Sequence, residues 1–148
     1  MIYIGIDPGA SGAIAWLGPS GPAVEPLKTC TDQDIVEILR GITTAADGDV
    51  VAMIENVHAF PGQGVKSVWN FSGSYHGLLM ALVAAGVPFD RVTPQTWQRG
   101  MKCMSKGDKN VTKRRAQELF PGLKIIHATA DALLIAEWCR RTWRPHYE

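Results

Sequence analysis

Met1-Ile-Tyr-Ile-Gly-Ile-Asp-Pro-Gly-Ala-Ser-Gly-Ala-Ile-Ala-Trp16 decides how the rest of this chain is read. Ile2, Ile4 and Ile6 alternate with Tyr3 and Gly5, the period of a strand buried on at least one face. The run ends in Asp7, and Pro8, Gly9 and Gly12 then turn the backbone. Ala13 to Leu17 is a second apolar run that pairs back as a hairpin. Open α/β sheets place their chemistry at the carboxyl ends of central strands, which makes Asp7 the first functional candidate. An Asp in that place also starts a turn by bonding its own backbone, and this stretch alone leaves both readings open.

Working outward, Ala23 to Leu27 contains Pro26 and is at best an edge strand. Thr31 to Ala45 reads as a helix capped by Thr31, with Ile35, Ile38, Leu39 and Ile42 spaced to face a sheet. Val50 to Ile54 is continuously apolar, as a strand covered on both faces is, and it ends in Glu55. Residues 56–64 hold Pro61, Gly62 and Gly64 and form a loop that carries His58 and Phe60. A long helix follows from about Val65 to Ala85, with Trp69, Phe71, Leu78, Leu79, Leu82 and Val83. Its small-sided middle (Ser72, Gly73, Ser74, Gly77) permits close packing against the sheet or a second subunit. Val87 to Val92 is a strand and Pro94 to Arg99 a helical turn carrying Trp97. A helix opened by Asn110 or Thr112 reaches Phe120, Lys124 to Ile126 is extended, and a last helix runs from about Thr129 to Thr142. The order implies one α/β domain over residues 1–148, a hairpin-led mixed sheet flanked by helices.

The 148 residues are 46% hydrophobic and 20% charged, an ordinary globular balance, and no apolar run is long enough for a bilayer. Cys30, Cys103 and Cys139 are odd in number and far apart, which argues against a disulfide framework or zinc site and fits a reducing cytosol. No basic leader precedes the first strand, so the expected location is cytoplasmic. The net charge of +1 hides an asymmetry: residues 1–55 carry two bases against eight acids, and residues 56–148 carry thirteen bases against six acids. Between 99 and 115, Arg99, Lys102, Lys106, Lys109, Lys113, Arg114 and Arg115 face only Asp108. Such a run is either a solvated helix face or the footprint of a polyanion, and nucleic acid is the natural partner for the second.

Asp7 and Glu55 each stand where a buried strand runs out, and a helical crossover between them permits parallel neighbours. Asp131 begins the last helix, within Ala130-Asp-Ala-Leu-Leu-Ile-Ala136, where an acid either favours the helix dipole or is buried and in need of a partner. Three converging acids repel unless a cation joins them, and hard carboxylates suit Mg²⁺, with Mn²⁺ as a substitute. Such ions activate water and stabilise the leaving oxygen in phosphodiester cleavage.

IGIDPGASGA (residues 4–13), MIENVHAF (53–60), the small-sided helix, VTPQTW (92–97) and HATADALLIAEW (127–138) together resemble the RuvC-type Holliday-junction resolvases, in a form closer to the short phage and viral branch. The resemblance implies a ribonuclease H-like mixed five-stranded sheet, a homodimer, and Mg²⁺-dependent paired nicks in four-way DNA junctions. Asp7, Glu55 and Asp131 match the family's metal-binding acids, and a fourth is expected three residues before Asp131, where this chain has Ala128. Either His127 supplies a ligand, or three carboxylates suffice, or the chain is disabled at Ala128. The resemblance also points to Lys109 at the scissile phosphate, to Lys102, Lys106, Lys113 and Arg114 on the DNA backbone, and to Phe60 as a wedge between bases unless it is tucked under the fold. Gln98 stands where relatives often have Lys. If a phage encodes the chain, the location becomes the host cytoplasm.

Two other classes compete. Actin-like ATPases and sugar kinases share the glycine-rich DxGxxG turn, but need a second lobe that 148 residues hardly provide. A module that binds junctions without cutting them is compatible with Ala128.

Overall fold

Strand β1 (Ile2–Asp7) lies at the centre of a five-stranded mixed sheet in the computed structural model, which describes residues 1–145. It pairs antiparallel with β2 (Ala13–Gly18), which pairs antiparallel with the edge strand β3 (Gly21–Pro26). On its other side β1 runs parallel to β4 (Val50–Glu55), and β4 runs parallel to β5 (Phe89–Val92), giving the order β3-β2-β1-β4-β5. Five helices complete the chain: α1 (Asp32–Ala45), α2 (Val65–Ala84), α3 (Pro94–Gly100), α4 (Lys109–Leu119) and α5 (His127–Thr142). The fold is the expected mixed five-stranded sheet flanked by helices.

Strand alternation divides the core in two. Ile4, Ile6, Ile14, Ala52 and Ile54 face α1 and α2, meeting Leu39, Ile42, Leu78 and Leu82. Tyr3, Ala13, Ala15, Val51 and Met53 face the opposite way, toward α5. Each fully buried Ile stabilises the fold by about 1.5–3 kcal/mol, so this core outweighs the penalty of ending two strands in part-buried acids. Gly5 belongs to the α5 face, and a Cβ there would run into the backbone of Ala132 and Ala136. The helix therefore lies directly on β1, and that close approach sets where its first turn ends up.

Several boundaries differ from the sequence expectation. Helix α4 is opened by Asp108, whose carboxylate accepts the Asn110 N–H at 2.9 Å, rather than by Asn110 or Thr112. Helix α5 begins two residues early, at His127, because the Thr129 hydroxyl accepts the Ile126 N–H at 3.2 Å and closes the end from within. Residues 124–126 join no strand. Val87 is buried below β5, its N–H bonded to the Leu82 carbonyl where α2 ends. In α2 the buried side is Tyr75, Leu78, Leu79, Ala81 and Leu82, while Trp69 is 79% exposed and Gly73 and Gly77 face open space. Of the two packings the small residues permit, the sheet is excluded.

Candidate active site

Register brings the first two acids together. Ile6 pairs with Ile54 across the parallel β1–β4 ladder, so the next step on each strand sets Asp7 beside Glu55. Adjacent strands lie about 4.8 Å apart, and in-register residues share a face. That face is the one carrying Gly5 and Met53, the α5 side, where Asp131 sits one turn into its helix. The turn after Asp7 is tight: Gly9 has a φ of +107°, and a side chain on Gly12 would strike the Asp7 carbonyl. Both glycines are required by this path, and residues 8–12 line the same cavity as Asp7.

Burial and neighbouring charge shift all three carboxyls the same way. Burial first, then Glu55 and Asp131, hold the Asp7 carboxyl well above the ordinary carboxylate range, while Lys109 pulls it back. Burial pushes Glu55 from its ordinary 4.5 up to about 7, against a hydrogen bond from Trp97 and with a further push from Asp131. Asp131 is raised by burial, opposed by the Thr112 hydroxyl, Lys109 and His127. Its Oδ1 is buried with no hydrogen-bond partner. A buried carboxylate oxygen without a partner is costly. Among the described residues no group of three or more His, Cys, Asp or Glu side chains is arranged so that it could hold a metal ion. By chemistry alone the donors, three part-buried carboxylates with one unpartnered oxygen, suit a hard divalent ion that retains waters and is completed by substrate oxygens.

Two neighbours of these acids escaped the sequence reading. Trp97, fully buried in α3, donates its indole N–H to Glu55 Oε2 at 2.6 Å and fixes that carboxylate. The available signal was that a buried Trp wants an acceptor. Thr112, also buried, lies against Asp131.

An open cavity of about 740 Å³ lies over the site, lined by Asp7, Lys28, Lys109, His127, Ala128 and Asp131 among others. Lys109 is the first residue of α4, where a positive charge opposes the helix dipole. Asp7 and Asp131 supply the compensating attraction. Ala128 lines the same cavity as both acids, and His127 is exposed beside it.

The other basic residues of this region differ in freedom. Lys102, Lys106 and Arg114 are exposed and Lys113 is half-buried. Lys102 (φ +57°) and Lys106 (φ +49°) are held in left-handed backbone, an arrangement that non-glycine residues adopt mainly where the surroundings enforce it. Lys102 ends α3, where its N–H meets the Arg99 carbonyl at 3.1 Å and the Cys103 N–H meets the Gln98 carbonyl at 2.9 Å. The Gln98 Oε1 accepts both the Ser105 N–H and hydroxyl at 3.2 Å, pinning the turn just before Lys106. Arg115 is used structurally, donating to the Met101 carbonyl at 2.9 Å and pairing with Glu118. Phe60 is 64% exposed on the loop after Glu55, so it is not tucked under the fold.

No protein-family model and no curated protein matches the sequence. Among solved structures, the Thermus thermophilus RuvC is similar at 18% identity, with a TM-score of 0.63 over 95% of this chain and 96% of that one. Thermus thermophilus RuvC in complex with a Holliday junction substrate is similar at 15% identity, with a TM-score of 0.63 over 95% of both chains. The chain therefore has the RuvC-type, ribonuclease H-like fold.

Proposed function

We propose that this protein is a structure-selective DNA endonuclease of the RuvC type, acting on four-way junctions. The observation that carries the reading is the meeting of Asp7, Glu55 and Asp131 at one edge of the sheet, with Asp131 Oδ1 buried and unpartnered. The fold supports it, because a RuvC of that fold has been solved on a Holliday junction substrate. Thermus thermophilus RuvC is matched over 95–96% of its chain, so length does not set this protein apart as phage or viral, and the proposal covers the group as a whole.

In this reading Asp7, Glu55 and Asp131 hold Mg²⁺, or Mn²⁺ in its place. The bound ions supply an activated water and stabilisation of the departing oxygen. Trp97 keeps Glu55 aimed at the site, and Lys109 meets the negative charge of the scissile phosphate. Lys102, Lys106, Lys113 and Arg114 hold the backbone of the arms, and Phe60 enters the stack at the crossover. Two copies associate through the outward face of α2, where Val65, Trp69, Met80 and Val83 are each more than 60% exposed around the open glycine stripe. Contiguous exposed apolar surface of this kind marks an interface. Such a protein works in the cytoplasm, that of the host if a phage encodes it.

Ala128 favours a second reading, a protein that binds junctions and leaves them uncut. The deciding experiment incubates labelled four-way junction and matched duplex with the protein and with Ala128→Asp, with and without Mg²⁺ or Mn²⁺. Paired nicks in the junction, faster by about 10²-fold or more in Ala128→Asp, are expected from a site restored to four acids. Tight junction binding without nicks in either form establishes the second reading. Nucleotide-dependent protection against heat, with no junction preference, would point instead to the ATPase or kinase class.

A further inference from the structure

The loop after Glu55 covers a cavity that the acids leave unused. It is a half-open crevice of about 300 Å³, at the small end of ligand pockets, and its walls include Val57, His58, Gln63, Phe71, Tyr75 and His76. Two contacts tie it to the acid edge. Asn56, the residue after Glu55, accepts the Tyr75 hydroxyl through Oδ1 at 3.5 Å. The Phe71 ring lies against Gly9, so near that a side chain there would meet Cε2 at 3.0 Å. Tyr75 and His76 meet edge to face, with ring centroids 5.4 Å apart.

The walls are flat and aromatic, with polar edges. Gln63 Oε1 is taken by the Phe60 N–H at 2.7 Å, which leaves the amide hydrogens free, and His58 and His76 bring two imidazoles. A planar heteroaromatic ring with donors and acceptors on its rim fits this chemistry. Phe60 stands exposed on the same loop, three residues from Gln63. A side chain wedged between base steps unstacks them, which lowers the cost of turning one base out of the helix into a neighbouring pocket.

We propose that this cavity receives one unpaired nucleobase of the strand that crosses the acid edge, displaced when Phe60 enters the stack. The inference rests on the junction-binding reading above. Stacking on Phe71 and Tyr75 offsets part of the lost base stacking, and the polar rim gives the protein a preference among bases beside the cut. The cavity lies on the α2 side of the sheet, beside the loop that follows Glu55, so an occupant touches that loop rather than the carboxylates themselves.

The test uses four-way junctions carrying a single 5-iodouracil at successive positions around the exchange point, bound to the full chain in metal-free buffer and irradiated. The expected result is a position whose adduct maps to Tyr75 or His76. Ser72→Trp, which fills the cavity from an exposed site on its wall, should lower that yield by about fivefold or more, with Phe60 adducts retained. Ser72→Ala leaves the cavity open and should keep the adduct. Junction binding with adducts only outside the cavity, or a yield that Ser72→Trp leaves unchanged or that Ser72→Ala abolishes, overturns the pocket and spares the junction reading. Failure of the unmodified protein to prefer junction over duplex removes both.

Discussion

The acids at the carboxyl edge of the sheet and the bases of residues 102–114 are built in opposite ways. The acids are placed by the core: Asp7 and Glu55 by strand register, Asp131 by a helix that Gly5 allows onto β1. They are part-buried, mutually repelling and raised in pKa. The bases, Lys109 apart, ride on a turn and an exposed helix side, and their positions depend on a few local bonds such as those of Gln98. One region stores unfavourable charge and needs a ligand to relieve it. The other keeps its charge solvated and available for long-range attraction. Substitutions in the two regions should therefore have different signatures: chemistry and pH dependence in the first, affinity and salt dependence in the second.

The largest contrast is expected from Asp7→Asn in the Ala128→Asp protein. Junction cutting should fall by about 10³-fold, because a ligand of the ions that activate water is gone. Junction affinity should stay equal or rise, since a negative charge leaves a site that faces phosphate, and gel-shift titration beside a single-turnover assay reads both. A parallel loss of affinity would show that Asp7 holds structure rather than metal.

Next in size is a pH effect on the metal-free protein. The folded value of Glu55, about 7, lies above its ordinary 4.5, so between these values the native state binds more protons than the unfolded chain. Stability must therefore fall as pH rises from 4.5 through 7, by at most about 3 kcal/mol from this group. Asp7 and Asp131, raised as well, act in the same direction. Denaturant melts at pH 5 and pH 8 measure the fall, and Mg²⁺ should restore stability at pH 8 far more than at pH 5. Equal melts at both pH values would remove the picture of stored charge.

Trp97→Phe probes the link between core and acid. The indole bond favours ionised Glu55, so its removal raises that pKa further. The pH profile of metal binding should move alkaline by about half a unit to one unit. A purely structural role would weaken binding equally at all pH values. This residue also marks where sequence reading ran out. Ile2, Ile4 and Ile6 and the apolar run from Val50 announce strands because periodicity is local, and the acids after them follow from the same pattern. The Trp97–Glu55 bond spans 42 positions and has no local trace. The outward face of α2 was hidden for another reason: Trp69, Met80 and Val83 sit among equally apolar buried neighbours, so no polar stripe marks the solvent side. The early start of α5 escaped because its cap is an apolar Ile126, closed by Thr129 from inside the helix.

The smallest expected effects belong to the solvated region, where Lys102→Ala, Lys106→Ala and Arg114→Ala should each weaken junction binding by a few-fold. Each base that meets a phosphate releases about one counterion, so each loss should lower the slope of log affinity against log salt by about 1. Lys113, half-buried, should show less. Gln98→Ala separates position from charge: it removes no charge but frees Ser105 and the turn that carries Lys106. If the turn's shape matters, affinity falls while the salt slope stays near that of the unaltered protein. If only charge matters, both stay the same, and the basic region is then a diffuse attractor whose geometry the DNA does not read.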